Sequence, residues 1–185
     1  MMELKPADVI MSRGRGIFSE SIRIATREQG EKRSIVNHVG IIESGGTLKS
    51  ATVIESLASG TQRTSLSRYA KASGDFVTIW RLTSLTDQER GMIVRKAQTY
   101  IGKRYGWGMI AASALDWIIG SRWHFRGMIK PQEQIVCSSV VGMSYAEIGY
   151  SFLPAHKERA DTISPDDIWD KIAGDLTKWL PVGVI

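Results

Sequence analysis

The sequence predicts an α+β fold in which an antiparallel sheet packs against helices. Two observations carry this expectation. Short β-branched runs cluster in the first half of the chain, and helical periods dominate the second half. Two of the runs also flank Ser44-Gly45-Gly46-Thr47, a turn composition that makes them a hairpin. A chain of 185 residues with no internal repeat, low-complexity tract or linker reads as one domain, 1–185.

Each element has its own local reason. Ala7-Asp8-Val9-Ile10-Met11 reads as the first strand. Ser19-Glu20-Ser21-Ile22 has the form of a capped helix start, with Ile22 and Ala25 at helical spacing. Asn37 to Glu43 and Thr52 to Leu57 are the hairpin strands, and Phe76-Val77-Thr78-Ile79-Trp80-Arg81 alternates as a third. Thr86-Asp87-Gln88-Glu89 is a capping box. The helix behind it should bury Met92, Ile93, Ala97, Tyr100 and Ile101 and stop at Gly102. Further helices are expected over Met109 to Ile119 and from Cys137 onward, with Val140, Val141, Ser144, Tyr145 and Ile148 on the second. The last opens at Ser164-Pro165-Asp166-Asp167, where a cap, a first-position proline and acidic residues meet the helix dipole.

Composition excludes several classes. With 43% hydrophobic and 23% charged residues, the chain is globular, not disordered. Its single cysteine cannot form an internal disulfide, which suits a reducing cytosol. The net charge of +5 favours an anionic partner or surface, but the basic residues are scattered and no recognition motif accompanies them. Nucleic acid is therefore not an expected partner. The most apolar stretch, Met109 to Ile119, is short and contains Asp116, so it reads as a core helix and not a membrane span. The N-terminus shows no signal-peptide h-region, and the expectation is a cytoplasmic protein as encoded.

The chemistry centres on the one thiol. Cys137 lies at a helix start, where the helix's positive end lowers a thiol pKa, and a nearby imidazolium lowers it further. His38, on the strand Asn37–Glu43, can take the thiol proton and return it to a leaving group. An imidazole needs a third group to orient it. If the hairpin pairs, Glu55 falls opposite or diagonal to His38, within reach of a carboxylate. Asn37 is a poorer orienting residue, because neighbouring strand residues point to opposite faces. The backbone N–H of Cys137 is the natural first oxyanion donor, and the Tyr105 hydroxyl is a second option. Gly120 to Gly127, an aromatic and basic loop carrying Trp123 and His124, is a candidate rim or lid. The three histidines, His38, His124 and His156, form no ligand-spaced pair with Cys137, so neither metal nor cofactor is expected. The plainer alternatives are a core cysteine, a buried histidine on a carbonyl and a solvent-facing Glu55. Ser138 and Ser139 read as helix-start residues.

The ordered set Asn37-His38-Val39-Gly40-Ile41-Ile42, Val53-Ile54-Glu55-Ser56, Tyr100-Ile101-Gly102-Lys103-Arg104-Tyr105 and Cys137-Ser138-Ser139 resembles the permuted papain-like amidases. These form the branch of the NlpC-like superfamily in which histidine precedes cysteine, related to the lecithin:retinol acyltransferase group. Lys5-Pro6-Ala7-Asp8-Val9-Ile10 is similar to the opening strand of such domains, with Ala7 in place of the usual glycine. Ser164 to Ile168 resembles their closing helix start, and Arg104 stands where the family often has proline. The resemblance spans roughly residues 5 to 170. It implies a circularly permuted papain-like fold, with Cys137 as nucleophile, His38 as base and Glu55 as the polar third residue.

The leading functional expectation is a cysteine hydrolase that cleaves an amide or isopeptide bond through an acyl-enzyme, with a peptide of an anionic cell-wall polymer as a suitable substrate. A wall-directed enzyme without a signal would travel with a phage particle or by a non-classical export route. The alternative is lipid-directed acyl chemistry (thioesterase, phospholipase or acyltransferase), in a groove built from Trp107, Met109, Ile110, Trp117 and Trp123. A third expectation is a catalytically silent binding module.

Overall fold

Strand β1 (Val9–Arg13) runs through the middle of a six-stranded sheet, with β2 (His38–Ser44) on one side and β5 (Phe76–Leu82) on the other. The structure is a computed structural model that describes residues 3–14, 35–71, 76–108, 134–153 and 163–185. Beyond β2 lie β3 (Thr52–Leu57) and the edge strand β4 (Gly60–Ser65); beyond β5 lies the other edge, β8 (Trp179–Val184). Every pairing in this sheet is antiparallel. Two short strands, β6 (Arg104–Tyr105) and β7 (Gln134–Ile135), pair in parallel beside it.

Alternation along the strands separates two apolar clusters. Val9, Met11, Val39, Ile41, Ile54 and Trp80 face the helices, where they meet Ile93, Ala97, Val140, Val141, Ile168 and Ile172. Ile10, Ile42, Val53, Val77 and Ile79 turn to the opposite side, covered by Leu4, Leu66, Val182 and a 3₁₀ turn at Leu66–Lys71. Among the described residues the helices are α1 (Asp87–Gln98), α2 (Cys137–Ala146) and α3 (Pro165–Ala173). The expected capping box at Thr86 and the cap at Ser164 are both present, and Asp167 makes the second a full capping box.

The structure departs from the sequence expectations at several elements. The first strand begins at Val9, because Lys5 to Asp8 form a turn closed by the Asp8 N–H on the Lys5 carbonyl (3.2 Å). Ala7 in that turn has φ of 66°, the left-handed region that favours glycine, and accepts a 2.5 Å hydrogen bond from the Tyr145 hydroxyl at its carbonyl. Helix α1 ends at Gln98, so Tyr100 and Ile101 lie in the turns after it. Its buried face is Arg90, Ile93, Val94 and Ala97, while Met92 is half-buried. Strands β4, β6, β7 and β8 were not among the expected elements, and β8 returns after the last helix to pair with β5. The expected helix starting near Ser19, the helix over Met109 to Ile119, and the loop with Trp123 and His124 lie outside the described residues.

Candidate active site

Cys137 is the first residue of α2 and is 4% exposed. Val136 occupies the cap position in extended conformation and makes no side-chain capping bond. The segment leading into the helix is fixed from three sides. Tyr105 pairs with Ile135, the Ile135 carbonyl accepts from Ser56 Oγ (2.8 Å) and from the Gly106 N–H (3.2 Å), and α2 packs on β2 and β3. Ser138 does not cap the helix: its hydroxyl donates to the Ile163 carbonyl (2.6 Å), tying α2 to the approach to α3. Its backbone N–H and that of Val39 both point at the Cys137 sulfur.

His38 opens β2, opposite Ser12 of β1. Because Ile41 pairs with Ile54, Glu55 falls opposite Gly40 and diagonal to His38, as the hairpin argument expects. Glu55 Oε2 accepts from His38 Nε2 at 2.5 Å. Gly40 explains how the carboxylate crosses. A β-carbon there would lie 2.8 Å from Val53 Cγ1 and 3.2 Å from Glu55 Cβ, so a side chain would occupy the space between the two residues. Asn37 points elsewhere and grips Gly14, accepting from its N–H and donating to its carbonyl, both at 3.1 Å.

Glu55 is completely buried. Besides His38, its carboxylate accepts from Tyr69 Oη at 2.5 Å on Oε2, from the Thr64 hydroxyl on Oε1, and from Arg68 Nη1 on Oε1 at 3.4 Å. Burial alone would raise its pKa. The hydrogen bond and charge of His38, with the two hydroxyls, overcome that and hold it down to about 2. His38 is pushed the other way, to about 10: burial disfavours its charge, but hydrogen bonds and charges from Cys137 and Glu55 outweigh the burial. The Cys137 thiol would be raised by burial and is instead lowered by its hydrogen bond to His38, the imidazolium charge and the two backbone N–H groups. With Nε2 on Glu55, the imidazole has Nδ1 left for the thiol. The three groups thus favour one another's charged forms: His38 draws the thiol's pKa down, and Glu55 supports the charge on His38.

The structure thus brings Cys137, His38 and Glu55 together. Tyr105 is buried and close enough for the Cys137 charge to contribute to its raised pKa, after the larger effect of burial. Its ring meets Trp107 edge-on at 4.9 Å. Thr64, Arg68 and Tyr69 were missed in the sequence. A reading of β4 as a strand would have found Thr64, which pairs with Val53 and so lies diagonal to Glu55. No such signal exists for Tyr69, which arrives on the 3₁₀ turn after β4. Among the described residues, no helix is long and apolar enough to cross a membrane.

Comparison with known proteins places the fold. No family model matches the chain, and no curated protein matches it either. It is similar to the crystal structure of metalloprotein yiiX from Escherichia coli O157:H7, DUF1105, with a TM-score of 0.63 at 15% sequence identity. The match covers 98% of each chain, so the two share an α+β architecture from end to end.

Proposed function

We propose that the protein is a cysteine hydrolase that cleaves an amide or isopeptide bond, built on a circularly permuted papain-like scaffold. One observation carries the reading: His38 joins a thiol at a helix start to a buried, ionised carboxylate. The order of strand histidine before helix cysteine, and the ordered motifs, support the permuted scaffold. In the proposed reaction the Cys137 sulfur attacks the substrate carbonyl carbon, and the negative charge moves to the carbonyl oxygen. Donors for that oxygen are the Cys137 N–H and, from its position beside the thiol, the Tyr105 hydroxyl. As the C–N bond breaks, His38 gives its proton to the leaving amine. Water then attacks the thioester carbonyl, His38 takes a proton from it, and the C–S bond breaks to return the Cys137 thiolate and release the carboxylic acid.

The net charge of +5 suits an anionic substrate such as a wall peptide. A second reading, a lipid ester or thioester, is favoured by Trp107, which is 41% exposed and packed on Tyr105. The protein yiiX is described as a metalloprotein. Here no three His, Cys, Asp or Glu side chains stand together as ligands among the described residues, and no proposed step runs through a metal.

The test is the rate of Cys137 alkylation against pH, in wild type and His38→Ala, with the unfolded chain as reference. The expected wild-type thiolate titrates well below an ordinary thiol's value of about 8.5, and His38→Ala raises it. A thiol indifferent to His38 would overturn the reading and leave a binding module. Mass spectrometry of wall-peptide and acyl-lipid panels then separates amide from ester cleavage.

A further inference from the structure

We infer that Tyr69 is a positioning residue of this site: with Thr64, it holds the Glu55 carboxylate against His38 without neutralising it. This rests on the hydrolase reading above and extends it to two residues that touch neither thiol nor substrate carbonyl. The geometry is specific. Tyr69 Oη and His38 Nε2 donate to the same oxygen, Oε2, each at 2.5 Å, while the Thr64 hydroxyl takes Oε1. The Tyr69 ring packs against the apolar cluster of Ile42, Val53 and Ile79, so the hydroxyl is a fixed stop on the carboxylate. Among the described residues, the cation on Glu55 besides His38 is Arg68, at 3.4 Å and 47% exposed, so water screens it.

The choice of donors matters. A neutral hydroxyl stabilises an anion but leaves the charge in place for its neighbour to feel. A close guanidinium would cancel it. Tyr69 stays protonated, because burial and the Glu55 charge both push its pKa up. Among the described residues, the groups that face Glu55 are His38 from β2, Thr64 from β4, and Arg68 and Tyr69 from the 3₁₀ turn; Cys137 lies beyond His38, with Tyr105 near the thiol. Thiolate, imidazolium and carboxylate together carry one net negative charge. Any donor to that anion disfavours taking up a proton, wherever the proton lands, and favours giving one up. Removing the donor therefore moves both limbs of a pH profile upward.

The experiment is Cys137 alkylation against pH in wild type, Tyr69→Phe and Thr64→Val. Tyr69→Phe keeps the ring packing and deletes only the hydroxyl. Glu55 stays ionised while the thiol takes up its proton, so only part of one charged hydrogen bond reaches Cys137, and the acid limb should rise by about half a pH unit. Thr64→Val probes the other oxygen from a different element and should shift the limb in the same direction, so the test survives if one variant does not fold. A wild-type thiol with a lowered pKa and unmoved variant profiles would overturn the positioning role alone. A wild-type thiol of ordinary pKa would overturn the hydrolase reading, and this inference with it.

Discussion

Among the described residues two carboxylates are completely buried, and they are held in opposite ways. Asp8, in the turn before β1, meets Arg81 through two bonds of 2.8 and 2.7 Å, Arg90 at 3.5 Å, and the Lys5 N–H at 2.9 Å. Glu55, in β3, meets two hydroxyls and an imidazole, with only a distant guanidinium. Guanidinium stays charged at any working pH, so two fixed cations face Asp8, and the cluster ties the turn before β1 to β5 and α1. The imidazole at Glu55 also hydrogen-bonds the Cys137 thiol, so charge stabilised at Glu55 is felt at Cys137. The same residue class serves architecture in one place and, under the proposed function, reactivity in the other, and the partners decide which.

The sharpest break of that comparison is Asp8→Ala. It leaves Arg90, 6% exposed, without its carboxylate, and should cost about 3–5 kcal/mol in urea unfolding. Alkylation of Cys137 in the folded fraction should match wild type; a change in its pH profile would mean that the two carboxylates are not separate devices. Glu55→Gln should do the reverse. It removes the charge that supports the imidazolium, and alkylation at neutral pH should fall about 10- to 100-fold.

Glu55 also has a pH signature. Its pKa is about 2 in the folded protein against 4.5 in a free chain. A depressed carboxylate contributes stability that is present above pH 4.5 and lost as pH falls through about 2. Urea midpoints measured across that window should fall for wild type and flatten for Glu55→Gln. The smallest effect is expected from Gly40→Ala. The added methyl meets Val53 and Glu55, and overpacking of this kind costs about 1–2 kcal/mol. It should also slow alkylation, by pressing Glu55 away from His38. A destabilised variant with an unchanged pH profile would show that Gly40 serves packing only.

Much of this site was legible before any coordinates, because its three central residues declare themselves locally. Cys137 stands at the start of an apolar helical run, His38 opens a β-branched strand, and Glu55 follows from hairpin register. The caps at Thr86 and Ser164 were equally plain, since capping is a contact between residues three apart. The edge strands were not. β8 contains Pro181 and Gly183, which mask a strand pattern, and β4 reads Gly-Thr-Gln-Arg-Thr-Ser, with little apolar alternation. Both become strands because a neighbouring strand offers its hydrogen bonds.

By itself, the sequence determined where helices begin, which strands carry the core, and which thiol, imidazole and carboxylate belong together. Helix starts and strand faces follow from spacing over a few residues, Glu55 beside His38 follows from hairpin register, and Cys137 joined them through the resemblance of the ordered motifs to the permuted papain-like amidases. Only the tertiary structure decided that Tyr69 and Thr64 close around Glu55, that Arg81 and Arg90 close around Asp8, and that Tyr105 approaches Cys137. Each of those contacts joins residues on different elements. A buried charge takes whatever donors the packed chain brings within reach, and local sequence holds no record of that meeting.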